Sequence, residues 1–194
     1  MIDTLTDTLI LIIQQTQDHL DILLWMVGLL WAIFLITQLE PRLLYLGIMP
    51  RHRIGLLGIF FSPLLHAHFN HLFYNTIPLV VLSDFLLING LNYFIFVTFT
   101  ITIISGFLVW CFGKSGLHIG ASGLITGYWG LLISNIYQQG TLVAIIIGVT
   151  TLYVFAGIFL GIFPREKNVS WEGHFFGLLA GFLVSYLLHK YTNT

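Results

Sequence analysis

The sequence predicts an all-α membrane protein, folded as a bundle of six transmembrane helices. Of its 194 residues, 57% are hydrophobic and only 8% are charged, whereas soluble domains carry roughly 25% charged residues. The apolar residues form six runs of about 16 to 24 residues, and a helix of about 20 residues crosses a hydrocarbon core near 30 Å thick. These runs cover approximately residues 22–39, 59–82, 93–110, 122–137, 141–163 and 174–189.

The chain divides into an N-terminal segment, residues 1–21, and a six-helix domain, residues 22–194. Apolar residues in the first segment recur at helical spacing, which predicts a helix lying in the membrane interface; they are Ile2, Leu5, Leu9 and Ile12. The formal net charge is −1 and no basic block is present, so no nucleic-acid partner is expected. A single cysteine, Cys111, leaves no internal disulfide.

Polar residues mark the ends of the six runs. Asp21 and Glu40 bound the first run, and a loop at 41–55 follows it. The second run opens with the histidine-rich stretch LLHAHFNHLFYNT, the fourth with GASG and the sixth with GHFFGLLAG. The second, fourth and sixth runs point in the same direction through the membrane. Their N-terminal ends therefore meet at one face, and each carries its unusual polar residues there.

Polar side chains at membrane depth are costly and normally face the interior of a bundle or a cavity. Ser122 opens the fourth run and His174 opens the sixth, at a similar shallow depth. An unassisted serine hydroxyl is a poor nucleophile, and a neighbouring histidine can activate it as a base. The two residues are therefore candidates for nucleophile and base.

Two glycine ridges support their proximity. Small residues at helical spacing allow helices to approach closely in lipid. One ridge lies on the fourth helix and one on the sixth; the residues are Gly123, Gly127 and Gly130, and Gly173, Gly177 and Gly181. The alternative interpretation of these ridges is helix packing without any catalytic role.

The sequence offers no carboxylate to orient His174. Asp84 lies 13 residues beyond His71, roughly 20 Å along a helix, and Glu172 is expected on another side of its helix from His174. The arrangement is thus a dyad. It also differs from the G-x-S-x-G serine of soluble hydrolases, because position 124 is leucine.

The polar residues of the second run have two interpretations. His71 and Asn75 are four residues apart on one helical face, where both can donate hydrogen bonds to a developing oxyanion. His66, His68 and His71 could instead form a zinc cluster, although neither HExxH nor an acidic ligand accompanies them. His118, just before GASG, is expected to pack within its loop.

In these motifs the chain resembles the rhomboid family of intramembrane serine proteases, over roughly residues 47 to 185. The shared pattern is His-x4-His-x3-Asn on the second run, Gly-x-Ser-Gly on the fourth and His-x2-Gly-x3-Gly on the sixth. The resemblance implies a six-helix rhomboid-like bundle that hydrolyses peptide bonds of transmembrane protein substrates in the lipid membrane. It implies no cofactor and no metal.

The resemblance also assigns roles. Ser122 would be the nucleophile and His174 the general base and acid. An oxyanion and substrate-binding site would be formed by His71, Asn75, Gly120 and Ala121, together with the backbone N–H of Ser122. His66 would be structural, as would the residues near the site; these are Gly123, Thr126, Gly173, Gly177 and Gly181.

Two features depart from the family pattern. A Trp-Arg pair is common in the first loop of family members, and Gly55–Gly58 here contains neither residue. Family members often place an aromatic residue four positions after the serine, where it stacks on the catalytic histidine; here the residue is Thr126. We expect Thr126 either to hold His174 less firmly or to hydrogen-bond it.

Two other functions and two orientations remain open at this stage. The chain could be a rhomboid-like binding scaffold without catalysis, or a histidine-lined channel or metal transporter. The loops on the candidate-site face carry most of the basic residues, so the positive-inside rule places the site in the cytoplasm. The family resemblance implies a site on the extracytoplasmic side of a bacterial plasma membrane, and we adopt that orientation. The sequence does not predict the oligomeric state.

Overall fold

The computed structural model describes residues 2–157 and 171–192, and this part of the chain is almost entirely helical. Short 3₁₀ segments lie at Pro41–Leu46, Arg53–Leu56 and Ser62–Leu64. The α-helices are α1 (Ile2–Asp18), α2 (Leu20–Leu39), α3 (Gly58–Phe61), α4 (Phe69–Leu87), α5 (Leu91–Phe112), α6 (Ser122–Gln139), α7 (Leu142–Val154) and α8 (Trp171–Thr192).

The all-helical class predicted from the sequence is confirmed for these residues. Three of the described helices are long and apolar enough to cross a membrane: Leu20–Leu39, Leu91–Phe112 and Trp171–Lys190. The helix predicted at the N-terminus is present as α1. Of the fifth apolar run, residues 158–163 lie outside the described part.

The second apolar run begins differently from the prediction. We expected a helix from about Ile59, but α3 ends at Phe61 and α4 starts only at Phe69. Pro63 lies in the first turn of a 3₁₀ segment, where its missing N–H costs little. The backbone is then extended at Leu65 and His68. Consequently His66 precedes α4, and His68 is the residue just before its first turn.

Helix α6 occupies the centre of the bundle. Every residue from Leu124 to Leu132 is buried, although surface helices bury only one stripe. On the α8 side, the carbonyl oxygen of Gly177 would lie 3.1 Å from a Cβ placed at Gly127, and that of Leu178 would lie 3.0 Å from one at Gly130. These glycines therefore bring the two backbones almost into contact.

The loops before α4 and α6 meet at one end of the bundle. Ile48 and His118 form an isolated antiparallel bridge, and the backbone N–H of Gly120 donates to the Ser62 carbonyl at 2.8 Å. The Arg51 guanidinium donates to the Gly113 carbonyl at 2.8 Å. This arrangement matches the shared direction inferred for the second and fourth runs, and the approach of Gly173 to Gly123 places the start of α8 at the same end.

Candidate active site

Ser122 is the first residue of α6, and the backbone before it has an unusual conformation. Gly120 has φ +112, in the region that side-chain-bearing residues rarely adopt. A Cβ at Gly120 would also lie 2.7 Å from Nε2 of His71 and 3.5 Å from Nδ2 of Asn75. Only glycine therefore fits here. Because it has no side chain, His71 and Asn75 can lie against the loop backbone that leads to Ser122.

His66 supports the backbone that leads into α6. It is fully buried, with 0% of its surface exposed. Its Nε2 accepts a hydrogen bond from the backbone N–H of Ala121 at 3.4 Å, and the Asn75 amide nitrogen lies 3.0 Å away. Because the Ala121 N–H can only donate, Nε2 is the acceptor of both groups. The amide of Asn75 retains a second N–H beyond the one used for His66.

The His66 and His71 rings pack edge to face, with centroids 4.9 Å apart. This contact holds His71 in the first turn of α4 while its Nε2 faces Gly120. His66, His71 and Asn75 therefore form one connected cluster around the backbone that precedes the serine. His68 does not join them, because it is exposed at the start of α4.

His174 lies in the first turn of α8, half-buried. The neighbouring Gly173 carbonyl oxygen would be 3.2 Å from a Cβ at Gly123, so the residues adjoining Ser122 and His174 touch across the two helices. His174 is also close enough to His71 for their charges to interact. The structure thus brings the sequence-predicted serine, the three α4-region residues and His174 to the same end of the bundle.

Thr126 hydrogen-bonds within its own helix. Its hydroxyl donates to the carbonyls of Ser122 and Gly123, at 3.0 and 2.9 Å, and it packs against Gly177 of α8. It therefore fills the space between α6 and α8 one turn below Ser122. Gly181 lies one turn further along α8, against Gly127, where its contribution is to helix packing.

A cavity of about 50 Å³ reaches Ser122 from the side of α5. Its polar lining includes the hydroxyl-bearing residues Ser62, Thr102 and Ser105, and Gly173 closes it on the α8 side. A water molecule requires roughly 10–15 Å³ of such volume and polar partners. The cavity can therefore hold water beside the serine.

Several contacts at this end of the bundle escaped the sequence analysis. Lys114 lies 3.7 Å from the buried carboxylate of Glu172 and 5.5 Å from the centre of the Trp171 ring. Glu172 therefore pairs with the loop before α6. Neither Lys114 nor Glu172 belongs to a motif. Only the small number of charged residues in the chain could have drawn attention to them. His118 contacts the Lys114 carbonyl at 2.8 Å, in keeping with the expected loop packing.

The zinc interpretation gains no support from the described residues. Among them, no three His, Cys, Asp or Glu side chains are grouped so as to hold a metal ion. His66 uses its Nε2 for Ala121 and Asn75, and His68 is separated from it by extended backbone.

Sequence comparisons relate the chain to known proteins. Residues 53–191 match the family described as Rhomboid domain. Uncharacterized proteins of Mycobacterium tuberculosis (strain ATCC 25618 / H37Rv) and Mycobacterium bovis are each 42% identical over 178 residues, covering 86% of this chain and 73% of theirs. An uncharacterized protein of Mycobacterium leprae is 38% identical over 185 residues, covering 84% of this chain and 72% of its own.

Proposed function

Because the chain belongs to the rhomboid family, we propose that it is an intramembrane serine endopeptidase that cleaves transmembrane segments of other membrane proteins. The observation that carries this proposal is the contact of α6 with α8 at Gly123 and Gly173. Ser122 and His174 are each one residue from this contact, which supports their acting together. Both residues of the dyad are present, which disfavours a scaffold without catalysis.

In the proposed reaction, His174 takes the proton of the Ser122 hydroxyl as the oxygen attacks the scissile carbonyl carbon. The tetrahedral oxyanion is stabilised by His71, by the free N–H of Asn75 and by the backbone N–H of Ser122. This N–H belongs to the first turn of α6, where backbone donors lack partners within the helix. The helix dipole favours negative charge at the same place.

The acyl-enzyme then forms as the peptide C–N bond breaks and His174 protonates the leaving amine. Water from the cavity lined by Ser62, Thr102 and Ser105 attacks the ester with His174 as base. The carboxylate product leaves and the Ser122 hydroxyl is restored. Transmembrane helices that unwind easily and present a small residue at the cut are the proposed substrates.

The proposal includes an arrangement in the membrane. Residues 22–194 form the six-helix protease domain, and residues 1–21 are an interfacial segment. The dyad opens toward the extracytoplasmic face of a bacterial plasma membrane. The meeting of the loops before α4 and α6 at one end, beside the start of α8 at Gly173, supports a single entrance for substrate and water.

Cleavage in liposomes tests the proposal. Wild-type protein co-reconstituted with a single-span substrate is expected to release a shortened fragment, and Ser122→Ala is expected to release none. Ser134→Ala provides a matched control, because Ser134 lies on the same helix three turns away and should leave cleavage unchanged. Fragment release by pure Ser122→Ala protein would refute the proposal.

A further inference from the structure

A second polar cluster lies at the other end of α4, away from Ser122. The hydroxyl of Thr16 donates to Oδ2 of Asp84 at 2.7 Å, and the side-chain amide of Gln15 donates to the Ile88 carbonyl at 3.5 Å. The backbone N–H of His19 donates to the Gln15 carbonyl at 3.2 Å. Gln15 and His19 are therefore one helical turn apart and share the face of the α1–α2 junction that meets α4.

Three polar atoms of this cluster are buried without a hydrogen-bond partner: Oε1 of Gln15, Nδ1 of His19 and Oδ1 of Asp84. Buried polar atoms in native proteins are nearly always paired, so each exception requires an explanation. The His19 and Asp84 side chains are close enough for their charges to interact. The three atoms without partners thus lie in one region, where the end of α1 meets the end of α4.

The chemistry of these atoms identifies what fits between them. A carboxylate oxygen and an amide oxygen can only accept, and an imidazole nitrogen accepts in its neutral tautomer. A mixed set of imidazole nitrogen and carboxylate oxygen suits divalent metal ions of the zinc class. The basic side chains of Arg51 and Lys114 make their contacts at the opposite end of the bundle.

We propose that Gln15, His19 and Asp84 bind a divalent transition-metal ion that ties the α1–α2 junction to α4. The Thr16 hydroxyl holds one oxygen of the Asp84 carboxylate and leaves the other for the ion, as partners of metal ligands commonly do. This site is separate from the histidines near Ser122. It does not depend on the proposed protease activity.

Zn²⁺ binding to the 194-residue chain in detergent tests the site. After treatment with a chelator, calorimetric titration is expected to show one equivalent bound to wild type. His19→Gln and Asp84→Asn should each weaken binding by about tenfold or more, since even residues that only support ligands contribute that much. His52→Gln is the matched control, because His52 is an exposed histidine at the other end, and it should bind as wild type does.

Thermal unfolding supplies a second readout. Zn²⁺ should raise the melting temperature of wild type and His52→Gln, because a ligand of the native state stabilises it, and should leave Asp84→Asn unchanged. The asparagine can still accept the Thr16 hydrogen bond, so Asp84→Asn is expected to fold. If Asp84→Asn does not fold, the Zn²⁺ binding of His19→Gln and Gln15→Leu tests the site instead. No equivalent bound at about 100 µM Zn²⁺, or equal binding by His19→Gln and wild type, would overturn the inference.

Discussion

Replacing Gly177 with alanine should separate α6 from α8 at the candidate site. A Cβ at Gly177 would collide with the Gly123 carbonyl oxygen and the Thr126 hydroxyl, and would lie 2.9 Å from the Gly123 carbonyl carbon. Ordinary contact begins at 3.4 Å, so the helices must move apart by at least about 0.5 Å in a densely packed interior. The displaced backbone is the one that adjoins Ser122.

We expect this shift to reduce both stability and reactivity. Overpacking of a tight core costs roughly 1–3 kcal/mol, which should lower the melting temperature in detergent. A misplacement of about 1 Å can reduce catalysis on the order of a hundredfold, so a shift of at least half that distance should reduce it about tenfold or more. The assays are thermal unfolding and the rate of labelling by a fluorophosphonate probe.

Gly28→Ala is the matched control for this substitution. A Cβ at Gly28 on α2 would meet nothing within 4 Å, and alanine favours a helix over glycine by about 1 kcal/mol. This variant should melt and react as wild type does, or melt slightly higher. If Gly177→Ala behaves like Gly28→Ala in both assays, the close packing of α6 on α8 does not position the site.

Three further predictions concern the rest of the site. Asn75→Ala should lower turnover roughly ten- to a thousandfold, the effect of losing one oxyanion donor; unchanged turnover in a peptide-bond cleavage assay would remove Asn75 from the mechanism. His66→Leu should lower the melting temperature, because the buried N–H groups of Ala121 and Asn75 lose their acceptor at about 1–3 kcal/mol each, and an unaltered melting curve would contradict this role. In a Cys111→Ser background, His52→Cys introduces a single thiol at an exposed position. This thiol should react with an impermeant reagent on intact cells, and reaction only after lysis would place the site in the cytoplasm.

The sequence predicted most helix boundaries because its apolar runs end at clear signals. The first run was placed at 22–39 and the third at 93–110, and the corresponding helices are Leu20–Leu39 and Leu91–Phe112. The second run failed at its start. Leu64, Leu65 and Ala67 keep the stretch apolar, and hydropathy measures composition rather than backbone conformation, so the hydropathy pattern continues through the break after Phe61. The local signal of the break is Pro63, a residue that interrupts helices.

The candidate site was predictable to the extent that its residues belong to short motifs. His71 and Asn75 were paired by their spacing along one helix, where the helical repeat fixes which residues are neighbours, and Ser122 was recognised in the GASG motif at the start of the fourth run. The pairing of Lys114 with Glu172 and that of Thr16 with Asp84 join residues 58 and 68 positions apart. No local periodicity relates such residues, so these contacts required the three-dimensional structure.

The same limit applies to the role expected for Thr126. The sequence left open whether its hydroxyl would reach His174. In the structure the hydroxyl donates to the carbonyls of Ser122 and Gly123, because a threonine in a helix can satisfy its hydroxyl on the preceding turn. Which acceptor the Thr126 hydroxyl takes depends on how α8 packs against α6, and the sequence does not specify that packing.

Covalent labelling of Ser122 tests the central claim most directly. Purified wild-type protein should react with a fluorophosphonate probe, and mass spectrometry of the digested product should locate the adduct on Ser122. Ser122→Ala should not react and His174→Ala should react far more slowly, while the double variant should lose little beyond either single one because the two residues act as a unit. Labelling at another serine, or undiminished labelling of His174→Ala, would contradict the Ser122–His174 dyad.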